Sequence, residues 1–258
     1  MRFRPCIDIH NGSVKQIVGS SLSDKGSAAK DNFVSEYGAE HYAELYRSRG
    51  LYGGHVIILN PAGSEYYDAD IKQAKVALSA YEGGLQIGGG INSGNAKDFL
   101  DMGASHVIVT SFVFRNGAVD FDRLAELVRA VGKERLVLDL SCKKRPDGRY
   151  YIVTDRWQKF TDVELSAETL ERLSGSCAEF LVHAADAEGK QHGIERGAAE
   201  ILADSPIPCT YAGGIASIGD IELLGDIGGG RIDYTIGSAL DIFGGSIKFD
   251  DIAPAERV

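Results

Sequence analysis

QIGGGINS at residues 86–93 returns, altered, as YAGGIASI at residues 211–218. Each is an apolar run that breaks into paired glycines and then leads into a helix-compatible stretch. Gly213 lies 124 residues after Gly89, Ser238 lies 127 after Ser111, and Asp139 lies 131 after Asp8, where half of the 258-residue chain is 129. A repeat of that length is far beyond a solenoid unit, so the pattern points to two fused half-domains.

Working outward from the glycine turns, eight short β-rich runs appear: FRPCIDI (3–9), GHVIILN (54–60), GLQIGG (84–89), SHVIVTS (105–111), RLVLDLS (135–141), EFLVHAA (179–185), PCTYAGG (208–214) and RIDYTIGS (231–238). Apolar runs of this kind, with little polar alternation, fit strands buried on both faces of a parallel sheet. Amphipathic segments lie between them, among them 93–104, 120–132 and 166–176. In the first, Ala96, Phe99 and Leu100 recur at helical spacing behind a Ser or Asn cap. Eight strand–helix units in a chain near the ~250 residues usual for such a fold predict an α/β (β/α)8 TIM barrel. The expected organisation is one domain over 1–258, with half-barrels of about 1–131 and 132–258.

Two connections are long, 18–37 after the first strand and 142–163 after the fifth, the latter with a turn-like RPDGR in its middle. Both follow strands and so belong to the face where barrel enzymes place their chemistry.

The formal charge of −10 disfavours binding to a nucleic-acid backbone, which needs a basic face to displace counterions. No apolar run reaches the ~18 residues that would cross a bilayer, and the expectation is a soluble cytoplasmic protein. Cys6, Cys142, Cys177 and Cys209 are far apart and form no C-x-x-C pair, so neither a metal site nor a disulfide framework is expected.

In an eight-stranded barrel the Gly-Gly-Ile turns end strands three and seven, and Thr110-Ser111 and Gly237-Ser238 end strands four and eight. Two anion sites then face each other, each built from glycine N–H groups and a hydroxyl. Asp8 and Asp139 fall on strands one and five, on opposite walls. Two carboxylates there suit general acid and general base work, because different surroundings can hold one protonated and the other ionised. Each feature has a plainer reading: glycines that pack helices against the rim, and aspartates that orient loops. Trp157, the only tryptophan, either stacks on a planar ligand or fastens its loop. His55 and His183, at strands two and six, are candidate contacts on the same terms.

CIDIHNG, GGGI, AGGI, VLDLS, LVHAADAEG and IGSALDIFGG together resemble the ribotide isomerases of histidine biosynthesis, the branch found in fungi and plants in particular. The resemblance implies an Amadori rearrangement of a small substrate with a phosphate at each end. It places the phosphates at Gly89, Gly90, Thr110 and Ser111 and at Gly213, Gly214, Gly237 and Ser238. It makes Asp139 the general acid and Asp8 the general base, and it stacks Trp157 on the aminoimidazole. It implies no metal and no organic cofactor, no nucleic acid, no membrane and no obligate protein partner, with a monomer expected. The chain departs from the bacterial pattern at Ile58, in place of an aspartate, and at Ala184, in place of a threonine. Asp186 and Glu188 are the candidates to replace a bacterial loop carboxylate, and Glu188 is carried as a substrate contact.

The sister cyclase of the same pathway has a similar duplicated plan, but its lysine eight residues after the first aspartate is Gln16 here. A variant that also takes a second ribotide looks closer to the bacterial branch. A silent barrel that only binds a phosphometabolite would gain little from two desolvated carboxylates facing its ligand.

Overall fold

The computed structural model describes residues 1–17, 31–187 and 192–253. Eight parallel strands follow one another in chain order: β1 (Cys6–His10), β2 (Gly54–Ile58), β3 (Leu85–Gly88), β4 (Val107–Val109), β5 (Leu136–Asp139), β6 (Glu179–His183), β7 (Cys209–Ala212) and β8 (Ile232–Tyr234). The sheet closes on itself. Phe3 bridges to Tyr234, with the Arg4 N–H donating to the Tyr234 carbonyl at 2.7 Å and the Tyr234 N–H donating to the Arg2 carbonyl at 3.1 Å. The (β/α)8 TIM barrel expected from the repeat is the observed architecture.

Helices follow the strands in turn: α1 (Ala39–Ser48), α2 (Tyr67–Ala80), α3 (Ala96–Asp101), α4 (Phe121–Val131), α5 (Ala167–Ser174), α6 (Arg196–Leu202), α7 (Ile218–Gly228) and α8 (Phe249–Ile252). Their limits follow from local chemistry. The Asp120 carboxylate accepts the Arg123 N–H at 3.1 Å to start α4, and Gly132, at φ 79°, ends it. Leu124 and Leu127, three apart, are buried on the inner side. Ser166 caps α5 in the same way, with Leu170 and Leu173 buried.

The interior has three storeys. At the N-terminal ends of the strands lies a buried polar network in which Arg4 Nε meets Asp233 Oδ2 at 2.8 Å and Arg4 Nη2 meets Glu179 Oε2 at 3.4 Å. Gln86 and Thr210 donate to the same Glu179 at 3.2 and 2.9 Å. Such a network costs desolvation, but its satisfied partners keep each charge from being stranded. Above it, Ile57, Ile108, Val137 and Leu181 form a small apolar plug. Above the plug the barrel opens into a cavity. The larger apolar core lies outside the strands, beneath the helices.

Two additions to the barrel were not read from sequence. Ser13–Ile17 returns antiparallel along β1 and pairs with Asp31–Val34, so part of the predicted 18–37 loop is strand; residues 18–30 lie outside the described residues. Its turn is Asn11-Gly12, at φ 52° and 76°, the left-handed pair that a tight hairpin requires. Asn116-Gly117 makes a second such turn, between Phe114–Arg115 and Ala118–Val119.

The predicted connection 142–163 is a flap of three antiparallel strands, Cys142–Lys144, Tyr150–Thr154 and Lys159–Glu164. Arg145 to Gly148 is its first turn, closed by the Gly148 N–H on the Arg145 carbonyl at 2.9 Å. The Arg145 guanidinium packs over Tyr151 and Phe160, 4.0 and 5.0 Å from their ring centres.

Candidate active site

The cavity at the C-terminal ends of the strands encloses about 700 Å³. Asp8, His55, Gly89, Gly90, Thr110, Ser111, Asp139, Trp157, His183, Gly213, Gly214, Gly237 and Ser238 all line it. Of the residues singled out from sequence, Glu188 lies outside the described residues.

The two glycine turns match in backbone as well as in sequence. Gly89 and Gly90 have φ of 109° and 69°, and Gly213 and Gly214 have 106° and 80°. A Cβ at Gly89 would collide with the Ile58 carbonyl, and one at Gly214 with the Gly193 carbonyl and Ala187. Gly90 faces open space. The helix after the second turn does not offer a bare N-terminus, however. Asp220 of α7 accepts the Ala216 and Ser217 N–H groups at 2.9 Å each, and Ser217 accepts the Asp220 N–H. An anion at Gly213-Gly214 therefore relies on the turn and on Gly237-Ser238.

Asp8 is the third residue of β1 and Asp139 the last of β5. Their company differs. Gln16 Nε2, from the hairpin strand beside β1, donates to Asp8 Oδ2 at 3.3 Å, and the Gln16 amide oxygen packs against Gly237. Asp139 Oδ1 instead accepts the Ser141 N–H at 2.8 Å and the Ser141 hydroxyl at 2.5 Å, and lies 3.9 Å from His183 Nδ1. Burial pushes the Asp139 carboxyl up, but His183 and the two Ser141 donors outweigh it and hold it below the usual carboxylate range.

His183 lies 128 residues after His55, so the two histidines are a further matched pair of the duplication. Their rings meet edge to face, 5.9 Å apart, and the Trp157 ring comes within 5.5 Å of His183 from the flap. His55 is 3% exposed, and burial, with the charge of His183, brings it down to about 3 against the weaker pull of Asp139. It is a neutral imidazole at any working pH.

Trp157 is carried by a tight left-handed turn in which Asp155, Arg156 and Trp157 have φ of 51°, 56° and 65°. The Asp155 N–H donates to the Ser111 hydroxyl at 3.2 Å, which fastens the flap tip to the β4 turn. Asp186 serves the flap as well: its carboxylate accepts the Lys144 N–H at 3.1 Å, and it is absent from the described cavity wall.

Ser141 and the position of Gln16 against Asp8 went unread in the sequence. A D-x-S step at the end of a strand is a readable signal for the first, since a hydroxyl two residues on can turn back to the carboxylate. The second needed the hairpin, whose Asn-Gly turn was there to be seen. The four cysteines are free and buried. Among the described residues no helix is long and apolar enough to cross a membrane.

Comparison with known proteins agrees with this geometry. Residues 2–247 match the family model described as histidine biosynthesis protein. A Medicago truncatula protein named as a chloroplastic 1-(5-phosphoribosyl)-5-((5-phosphoribosylamino)methylideneamino) imidazole-4-carboxamide isomerase is 54% identical over 258 residues, covering 98% of this chain and 80% of its own. Proteins with the same isomerase name from Neurospora crassa and Saccharomyces cerevisiae are 44% and 43% identical, over 95% and 97% of this chain and 93% and 96% of theirs. The chain belongs to the histidine biosynthesis protein family.

Proposed function

We propose that this protein is the aldose–ketose isomerase that its relatives are named for, converting a bisphosphorylated aminoaldose ribotide to the aminoketose by an Amadori rearrangement. The observation that carries the reading is one cavity lined by two matching glycine turns and by a carboxylate from each of two opposite strands. The ring oxygen of the sugar is protonated on the Asp139 side, the C1′–oxygen bond breaks, and the ring nitrogen substituent becomes a protonated Schiff base. Asp8 then removes the C2′ proton, giving an enolamine that tautomerises to the ketose. The iminium itself accepts the electrons. Trp157, which lines the cavity from the flap, stacks on the aminoimidazole in this reading.

Gln16 favours this reading over the cyclase. Its neutral amide, not a lysine, is built against Asp8. We also read residues 1–258 as one domain that acts as a monomer. Spectrophotometric turnover of the aminoaldose ribotide, with no ammonia source, tests the activity. Ketose formation supports the isomerase, and its absence with the pure protein rejects it. Light scattering at assay concentration tests the monomer.

A further inference from the structure

The acid half of this reaction meets a difficulty at Asp139. Its Oδ1 takes two donors from Ser141 and faces the His183 imidazole at 3.9 Å, which is the arrangement of an ionised acceptor. An ionised carboxylate cannot protonate a ring oxygen. The proton must come from a neighbour, and His55 is excluded because burial keeps it neutral.

We infer that His183 and Asp139 hold one proton between them, resting on the imidazole, and that this shared proton is the one that opens the ribose ring. The inference rests on the isomerase reading above and adds a proton-carrying residue to it. His183 is only 12% exposed and Asp139 17%, so the pair is shielded enough for their mutual charge to matter. From β5 His183 is faced by Asp139, from β2 by His55 and from the flap by Trp157, while Asp8 from β1 and the charged Asp155 and Arg156 from the flap line the same cavity.

The step balances within the site. The pair gives its proton to the ring oxygen as the C1′–oxygen bond breaks, and the bond's electron pair becomes a lone pair of the new hydroxyl. The nitrogen lone pair forms the C1′ iminium. Asp8 takes the C2′ proton, and its electrons move into the C1′–C2′ bond. A proton then returns to C1′, the enol O–H proton is given up as the C2′ carbonyl forms, and the pair regains what it lost. No oxidant or reductant takes part.

The test is the pH dependence of kcat and kcat/KM for wild type, His183→Gln, Asp139→Asn and the double variant, with imidazole 15N NMR titrations of wild type and Asp139→Asn. His183→Gln is expected to lower kcat about 100-fold near neutral pH with KM within a few-fold, and to recover toward lower pH as solvent protonates Asp139. The double variant should be no slower than Asp139→Asn alone, because the two act as one titrating unit. One histidine titration should move to lower pH in Asp139→Asn, and this reading needs no His183 variant to fold. Wild-type kcat in His183→Gln, a loss confined to KM, additive losses, or histidine titrations unmoved by Asp139→Asn would each overturn the inference. If wild type fails to turn over the ribotide, the isomerase reading falls, and the NMR titration still decides whether the pair exists.

Discussion

Asp8 and Asp139 hold corresponding places in the two halves of the barrel, and their neighbours have diverged. Asp8 has a neutral amide from a hairpin that the first half grew. Asp139 has a serine two residues on, where the first half has His10, and an imidazole from the next strand. The histidine pair diverges likewise, His55 buried and neutral, His183 beside a carboxylate. The two halves carry equivalent carboxylates in unequal surroundings, and on the proposed isomerase reading that inequality suits one to act as a base and the other as part of an acid. A symmetric enzyme would hold both at the same protonation and could serve only one half of the reaction.

The comparison can be broken most severely at the carboxylates themselves. Asp8→Asn is expected to lower kcat by about a thousand-fold or more while leaving KM within a few-fold, measured by ketose formation. Near-normal turnover would remove Asp8 from the base role.

Next in size is the acid sensitivity of the fold, read by denaturant unfolding at a series of pH values. His55 titrates at about 3 in the native state and near 6.5 in the unfolded chain, so the unfolded state binds the proton first. Stability is then lost as pH falls from 6.5 toward 3, by on the order of 1 kcal/mol per pH unit from this group. His55→Gln should flatten that stretch. Asp139 acts lower: its depressed native value gives stability that is present above 3.8 and lost as pH falls through the native value, and Asp139→Asn should remove that part alone.

A smaller effect tests Gln16. Gln16→Lys would put a cation against Asp8, lower its proton affinity and move the acidic limb of kcat/KM to lower pH, with kcat down by about ten-fold as the base weakens. A profile that keeps its wild-type position would mean that the amide does not set the basicity of Asp8. The smallest expected effect separates the glycine turns. Gly90→Ala meets no neighbour and should raise KM a few-fold with about 1 kcal/mol of backbone strain, whereas Gly214→Ala must displace the Gly193 carbonyl and should cost more stability than affinity.

The fold was legible because its evidence is periodic. Eight apolar runs and a repeat near half the chain length survive the divergence of individual residues, and the glycine turns kept both their spacing and their dihedral angles. Which residues would line one cavity was legible for the same reason, since barrel geometry sends strand ends to one mouth. What escaped was partnership. Nothing in the spacing of Gln16 says that its amide reaches Asp8, because that depends on the register Asp8 opposite Lys15 across a hairpin. The joining of His183 to Asp139 depends on neighbouring strands that bring together residues 44 apart in sequence, and the burial of His55 on the layer around it.

The closing bond of the barrel lies at Phe3 and Tyr234, a single bridge where the junction of β4 with β5 has three paired positions. Phe3 is wedged between the rings of Tyr234 and Phe249, and Arg4 clamps Asp233, so side chains do there what hydrogen bonds do elsewhere. The sparse pairing predicts early opening at this seam, and amide exchange at Arg4 and Tyr234 should outpace that at Val107 to Val109. Asp8 stands on one lip of the seam and Gly237-Ser238 on the other, with Gln16 spanning them. A phosphate seated at Gly237-Ser238 would thus stitch the seam shut beside Asp8, and slowed exchange along β1 would report substrate arrival before any chemistry begins.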